Sequence, residues 1–463
     1  MTQTVLPNIQ WDIDLIKRYD KSGPRYTSYP TAVQFHDGFD VEHYQTARDE
    51  NNHGPMSLYV HIPFCSHVCY YCACNKVITK RKEKAQPYLD TLYKEMEMRS
   101  DGYDKNRPIE QLHWGGGTPT FITHDQMTEL MGKLREHFNL LDSDDRDYSI
   151  EIDPRELQPD TLAHLKSLGF NRVSLGVQDF DEKVQIAVNR VQPLEMTRAT
   201  LEEARRLGFK SINIDLIYGL PFQSRESFAN TLKTVLELNP DRLSVFNYAH
   251  LPERFMPQRR INEADLPSGE EKLGMLEDSI RFLTEAGYHY VGMDHFAKPE
   301  DSLAQAQMQG KLHRNFQGYT THEECDLVAL GVSSISQIGD AYFQNSADIE
   351  EYMGQINDSV LPIKRGVILT EEDDLRRAVI KQLICHFNLA FADIERAFDI
   401  DFKNHFKEEL GNLKPYIEDG LITIDEHHIQ VTDKGGLLIR NICMVFDEYI
   451  TRPQHKVSYS KVI

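Results

Sequence analysis

The chain has 463 residues, 40 % of them hydrophobic, with 51 Lys and Arg against 72 Asp and Glu and a formal net charge of −21. That length suits one large barrel-type domain with a smaller companion, and no apolar run approaches the roughly 20 residues a membrane helix needs. The acidity argues against nonspecific nucleic-acid binding and against an anionic membrane surface, so an anionic small substrate needs a local cluster of Arg, Lys and His.

The opening Met1-Thr-Gln-Thr-Val-Leu-Pro-Asn8 has neither a basic leader nor an apolar signal core, and a cytoplasmic location is expected. Residues 1–53 do not fit the strand–helix alternation that follows them. Their segment Lys21-Ser-Gly-Pro-Arg-Tyr-Thr-Ser-Tyr-Pro30 reads as an ordered N-terminal arm. Alternation then begins. The runs Ser57–Phe64, Gln111–Trp114, Tyr148–Ile152, Arg172–Val177, Ser211–Ile217, Arg242–Tyr248 and Tyr288–Met293 predict strands. The periodic segments Pro87–Arg99, Gln126–Phe138, Thr161–Leu168, Glu195–Leu207, Ser227–Leu238 and Gly269–Ala286 predict helices between them. Gly169, Gly208 and Gly287 stand where such helices should end.

Strand–helix alternation implies a parallel sheet under helices, and only six or seven units can be counted. The fold class is therefore α/β. It is read as an incomplete parallel βα barrel over residues 54–365, with a smaller, mainly helical C-terminal domain over 366–463. There a helical stretch from about Leu369 precedes a hairpin of Gly420–Ile424 and His428–Val431, a winged-helix-like order.

Four of the seven cysteines fall in one segment, Cys65-Ser-His-Val-Cys69-Tyr-Tyr-Cys72-Ala-Cys74, directly after the first strand. Thiolates this close share a metal or a cluster, or they oxidise. Three at the spacing Cys-x3-Cys-x2-Cys can hold three corners of an iron–sulfur cube and leave the fourth iron open. A zinc site is the alternative, although zinc commonly uses two separated pairs and Cys325, Cys385 and Cys443 stand alone.

Gly115-Gly116-Gly117-Thr118 after the second strand bares its backbone, for a ligand or simply for a tight turn. Glu151, Asp153 and Asp215 lie at strand ends. Such acids bind ligand hydroxyls and amines, or else bridge to an arginine such as Arg155 or Arg190. His313-Arg314-Asn315-Phe316-Gln317-Gly318-Tyr319-Thr320 joins cationic, amide and aromatic groups, and taken by itself reads as a solvated loop.

These residues together resemble the radical S-adenosylmethionine superfamily. Over its whole length the chain is similar to the oxygen-independent coproporphyrinogen III oxidases. The resemblance rests on Lys21–Pro30, Tyr59-Val-His-Ile-Pro-Phe-Cys65, Leu112-His-Trp-Gly-Gly-Gly-Thr-Pro119, Gly176-Val-Gln-Asp179, Asn213–Pro221, Ser244–Pro252 and His313–Thr320. It implies a three-quarter βα barrel with one 4Fe–4S cluster on Cys65, Cys69 and Cys72. It also implies two S-adenosylmethionine molecules, the first near Tyr59, Gly116, Glu151 and Ile335. The second is placed near Tyr71, Gly117, Thr118, Gln178, Arg190, Asp215 and Ala249. Cys74 belongs to the motif without being a ligand, and is counted with Tyr59 and Arg314 among the catalytic candidates.

The implied reaction begins with one electron reaching the cluster from a reduced flavodoxin- or ferredoxin-type donor. Sulfonium cleavage then yields a 5′-deoxyadenosyl radical that removes a hydrogen from a propionate. Loss of carbon dioxide and an electron leaves a vinyl group. Two such rounds turn coproporphyrinogen III into protoporphyrinogen IX in haem biosynthesis. A monomer without nucleic-acid partners is expected, and with this substrate the arm with Arg25 and Tyr26 is expected to close over the porphyrinogen and Arg314 to pair with a carboxylate. A haem-binding chaperone of the same superfamily, without oxidase activity, is the alternative.

Overall fold

A computed structural model of the protein describes residues 8–323 and 325–451. By their contacts these residues form two compact units, one of residues 35–282 with those up to 368 after position 324, the other of residues up to 34, 283–323 and from 369 on. Three consecutive regions were expected from the sequence. The contacts instead gather the stretch before residue 35 and the one from 369 on into a single unit.

The larger unit is built on a parallel sheet. Its strands are β1 (Met56–Ile62), β2 (Pro108–Gly116), β3 (Asp147–Ile152), β4 (Arg172–Gln178), β5 (Ser211–Tyr218), β6 (Arg242–Asn247) and β7 (Asp326–Leu330). They lie in the order β6-β5-β4-β3-β2-β1-β7, all parallel, and the antiparallel strands Ile335–Ile338, Ala341–Asn345 and Ile363–Ile368 continue beyond β7. The connecting helices match the sequence periods. Helix Thr161–Leu168 ends on Gly169 at φ 108, and Gly208 and Gly287 also take positive φ. Helix His124–His137 starts from a capping box of Thr123 with Gln126, and buries Met127, Leu130, Met131 and Leu134 at helical spacing.

Period-two alternation sorts the two faces of the sheet. Leu58, Val60, Ile62, Leu112, Trp114, Ile150, Leu175 and Ile214 are all buried on one face. Tyr59, His113, Ser149, Glu151, Ser174, Asn213 and Asp215 stand on the other and remain partly open. Parallel sheets are normally apolar on both faces. Here one face packs and the other is dressed with hydrogen-bonding side chains, so the sheet lines a polar interior.

A fully buried network sits behind β1. The Arg99 guanidinium donates to Asn345 Oδ1 (2.8 Å), whose amide donates to Glu95 Oε1 (2.7 Å); Tyr352 OH and Gly331 N–H donate to Glu95 Oε2 (2.7 and 2.8 Å). With every Glu95 oxygen engaged, the charge is tolerable in the core. Tyr88 OH, beside it, donates to the carbonyl of His61 at 2.7 Å and so fixes the end of β1.

In the smaller unit the run predicted at Tyr288–Met293 forms strand His289–Gly292. It pairs antiparallel with His295–Ala297 as a hairpin, unlike a crossover strand. The arm is ordered as expected. Arg440 donates to the carbonyls of Gly23 and Pro24, Asn441 Nδ2 to that of Tyr19 (2.9 Å), and Tyr26 OH to Asp447 (2.9 Å). Helix Glu371–His386 and the antiparallel pair Ile422–Ile424 and His428–Val431 follow, with Asn388–Ala390 as third strand. The region is helix-rich with a small wing, as the sequence implied.

Candidate active site

The C-terminal ends of β1 to β6 carry the cysteine loop, Gly116, Glu151, Gln178, Asp215 and Ala249 near, at or just past them. Directly after β1 the chain makes a short parallel bridge, Phe64–Cys65 against Val77–Ile78, which closes the cysteine loop at its base. Each of the first three cysteines then has its own support. Cys65 is buried and accepts from Thr118 Oγ1 at 3.4 Å. Cys69, also buried, accepts from Arg155 Nη2 at 3.5 Å and Arg190 Nη1 at 3.7 Å. Cys72 is half-buried, and its N–H donates to the Cys69 carbonyl at 3.2 Å.

Burial pushes the Cys65 thiol up to about 12, whereas a hydrogen bond from Cys74 brings Cys72 down to about 6. A bound cation would deprotonate either one. Among the described residues, no three of the loop's sulfurs lie within 4.8 Å of one another. Sulfurs around one tetrahedral zinc sit about 3.8 Å apart at a Zn–S distance of about 2.3 Å. The donor set therefore fits separate corners of a larger cluster better than a single ion.

The glycine run serves close packing. A Cβ on Gly116, at φ +115, would stand 2.6 Å from the His61 ring, and one on Gly117 2.7 Å from the Pro63 backbone. Gly117 N–H donates to Ile62 O and Thr118 N–H to Phe64 O, which seats this loop against the base of the cysteine loop. Gln178 takes φ +71 at a β-bulge after Gly176, an uncommon conformation for a residue with a Cβ.

The three rim acids part ways. Asp153 is the bridging carboxylate: Arg155 Nη2 lies at 2.7 Å and Arg190 Nη1 at 3.1 Å. Burial raises its carboxyl, but the two guanidinium groups outweigh that and hold it at about 2. Glu151 has no arginine. It accepts from Gly116 N–H at 3.1 Å and faces His113 Nε2 at 3.5 Å, and 46 % of its side chain stays open although protein surrounds it. Burial pushes its carboxyl up, yet His113 and the Gly116 amide prevail and it lies below its usual value. Asp215 accepts from Ser174 Oγ (2.9 Å) and Asn213 Nδ2 (2.7 Å), and burial drives it up to about 6.

Tyr59 stacks on His113, ring centroids 5.8 Å apart at 16°, and its OH lies 3.1 Å from His61 Nδ1. Burial raises the Tyr59 and Tyr71 hydroxyls well above their ordinary range. Ala249 is exposed just past β6, and Ile335 opens the strand after β7.

Comparisons with known proteins agree with this arrangement. The Radical SAM superfamily model matches residues 59–235, and the HemN C-terminal domain model residues 369–438. The chain is 58 % identical over 463 residues to the oxygen-independent coproporphyrinogen III oxidase of Pseudomonas aeruginosa, covering 99 % of this chain and 100 % of that one. This chain belongs to the oxygen-independent coproporphyrinogen III oxidase family. The Escherichia coli member is 52 % identical, with 98 % and 99 % of the two chains covered. The solved structure of coproporphyrinogen III oxidase from Escherichia coli, described as a radical SAM enzyme, superposes with a TM-score of 0.92 over 96 % of this chain and 100 % of that one. A 4Fe–4S cluster and S-adenosylmethionine are accordingly this family's cofactors. No helix among the described residues is long and apolar enough to cross a membrane.

Arg314 lies in the smaller unit, as do the arm residues Arg25 and Tyr26. The stretch expected to be a solvated loop is a hairpin, His313–Asn315 against Gly318–Thr320, with Arg314 opposite Tyr319. The Arg314 guanidinium lies over the Tyr319 ring at 4.6 Å, while its Nε and Nη1 are buried without hydrogen-bond partners. Arg25 and Arg314 both press the buried Arg440 electrostatically, after burial itself, to about 10; Arg25 pairs with Asp294 at 2.9 Å. Sequence reasoning missed His61 and His113, whose roles come from strand register, and Gln258, whose partners are backbone groups. A period-two reading of β1 and β2 would have placed both histidines on the polar face.

Proposed function

We propose that this member of the family converts coproporphyrinogen III to protoporphyrinogen IX without oxygen, by oxidative decarboxylation of two propionates. The supporting observation is a trio of separately supported cysteine sulfurs at the C-terminal rim of a polar-faced parallel sheet. It occurs in a chain aligned from end to end with enzymes of that name. Cys65, Cys69 and Cys72 are assigned to three irons of the cluster, and Cys74, exposed and paired with Cys72, is left out of the ligand set. When bound, the cluster and S-adenosylmethionine supply one-electron cleavage to an adenosyl radical able to remove a propionate hydrogen.

The protein's own part is positioning. Tyr59, Gly116, Glu151 and Ile335 are assigned to the first S-adenosylmethionine. An ionised Glu151 with open surface suits its ammonium group, since the charge-assisted bond forms away from bulk water. Tyr71, Gly117, Thr118, Gln178, Arg190, Asp215 and Ala249 are assigned to a second molecule, where the buried Asp215, with its carboxyl at about 6 and so mostly ionised at neutral pH, accepts from a ribose hydroxyl. Arg314, with two unsatisfied N–H groups beside other arginines, is assigned to a substrate carboxylate.

A monomer in the cytoplasm, reduced by a flavodoxin- or ferredoxin-type protein, completes the reading. The arm is proposed to cover the substrate, and loss of residues 1–30 with unchanged turnover would count against that part. No observation favours the haem-chaperone alternative. The test is anaerobic incubation of the iron- and sulfide-reconstituted protein with coproporphyrinogen III, S-adenosylmethionine and a reductant. Protoporphyrinogen IX with 5′-deoxyadenosine is expected; tight haem retention without product would overturn the assignment.

A further inference from the structure

Gln258 is 1 % exposed and is the sole buried residue of the 3-10 helix Met256–Arg260. A buried primary amide must satisfy two donors and an acceptor. Here Oε1 accepts from Leu251 N–H at 2.6 Å, while Nε2 donates to the carbonyl of Tyr71 at 3.0 Å and to that of Ala249 at 3.2 Å. Flipping the amide would set an oxygen against two carbonyls and a donor against a donor, so its orientation is fixed by its partners.

The Tyr71 carbonyl belongs to the peptide that leads into Cys72. That peptide is thus held from both sides, its oxygen by Gln258 and its N–H by the Cys69 carbonyl at 3.2 Å. Cys65 is seated by the strand bridge and Thr118, and Cys69 by Arg155 and Arg190. For Cys72 the counterparts are this amide, on the peptide before it, and Lys76 Nζ, which donates to the Cys72 carbonyl at 3.2 Å. Neighbouring contacts direct the same helix onto the loop: Arg260 lies over the Tyr70 ring at 5.2 Å, and Ile261 joins Val184, Val188, Leu220 and Tyr248 in packing Tyr70 and Tyr71. Through its second donated bond Gln258 ties the same peptide to Ala249, at the rim past β6.

We infer that Gln258 is a positioning residue that sets the Cys72 corner of the cluster and holds it in register with the Ala249 edge of the cofactor site. This rests on the cluster assignment made above. Gln258→Glu keeps the shape and the acceptor but turns both donated bonds into repulsions; Gln258→Met keeps the volume and removes all three. Hydrogen exchange on the metal-free chain reads the Cys72 amide directly, and is expected to speed up about tenfold in both variants. After reconstitution, resistance of the iron to a chelator should fall about 10–100-fold, as for other groups that orient metal ligands. The electron paramagnetic resonance signal of the reduced cluster, and its response to S-adenosylmethionine, should change with it.

Wild-type exchange, iron retention and spectrum in both variants would overturn the inference. So would a lowered melting temperature alone, with exchange and spectrum unmoved, because that marks ordinary packing. Failure of the wild-type chain to assemble any cluster would sink the cluster assignment instead, and the exchange measurement distinguishes the two.

Discussion

The two faces of the parallel sheet use the same strands for opposite purposes. The helix-covered face carries Val60, Trp114, Ile150 and Leu175, each with no open surface. The facing residues His113, Glu151 and Asp215 hydrogen-bond across strands, Tyr59 bonds to His61 along its own strand, and all four keep surface open to the interior. Stability and chemistry therefore alternate residue by residue, and a one-residue change of position should move a mutation from one to the other.

Mutations can break that comparison. The largest effect belongs to the rim: Cys65→Ala, Cys69→Ala or Cys72→Ala should each reduce product formation to background and abolish the visible absorbance of the reconstituted protein. Next is the covered face. Trp114, packed edge-on against Phe170 at 4.9 Å, should cost about 3–5 kcal/mol in urea unfolding when changed to Ala. Glu151→Gln, across the same sheet, should melt like wild type while the KM for S-adenosylmethionine rises about 10–100-fold, the worth of one charge-assisted hydrogen bond. Equal destabilisation by Trp114→Ala and Glu151→Gln would collapse the distinction between faces.

Asp215 sharpens it by pH. Its folded carboxyl titrates at about 6, above its ordinary 3.8, so the fold favours the protonated form. Well below the ordinary value both states are protonated and nothing is lost; as pH rises from about 4 to 6 the unfolded chain ionises while the folded carboxyl stays protonated, so stability falls, and the loss is complete above that. Metal-free Asp215→Asn should therefore melt higher than wild type at pH 7.5, with the difference vanishing below about pH 4. The smallest effect is Cys74→Ser, which should leave iron content unchanged because Cys74 lies outside the proposed ligand set.

The sequence made much of this legible. Helix Thr161–Leu168 and the six strands after residue 56 follow from local period and glycine punctuation, because each is a local pattern. Strand β7 was not seen: Asp326-Leu-Val-Ala-Leu330 is short, lacks alternation, and gains its identity only by lying parallel to β1. Likewise Tyr288–Met293 is strand-like in composition, but composition cannot tell a hairpin from a crossover. The cysteine loop was readable because its sulfurs are consecutive in the chain. Asp153 was noted with its arginines, yet which rim acid would pair and which would stay open depends on reach across strands. Gln258 had no signal at all, since backbone carbonyls leave no trace in residue identity.

The central claim is that the open-faced rim supports radical decarboxylation of a porphyrinogen. Its most direct test follows 5′-deoxyadenosine and protoporphyrinogen IX together in an anaerobic reaction of the reconstituted chain with coproporphyrinogen III. The account predicts that both form, and that both disappear in Cys69→Ala. Cleavage of S-adenosylmethionine without any loss of carbon dioxide from the substrate would contradict it.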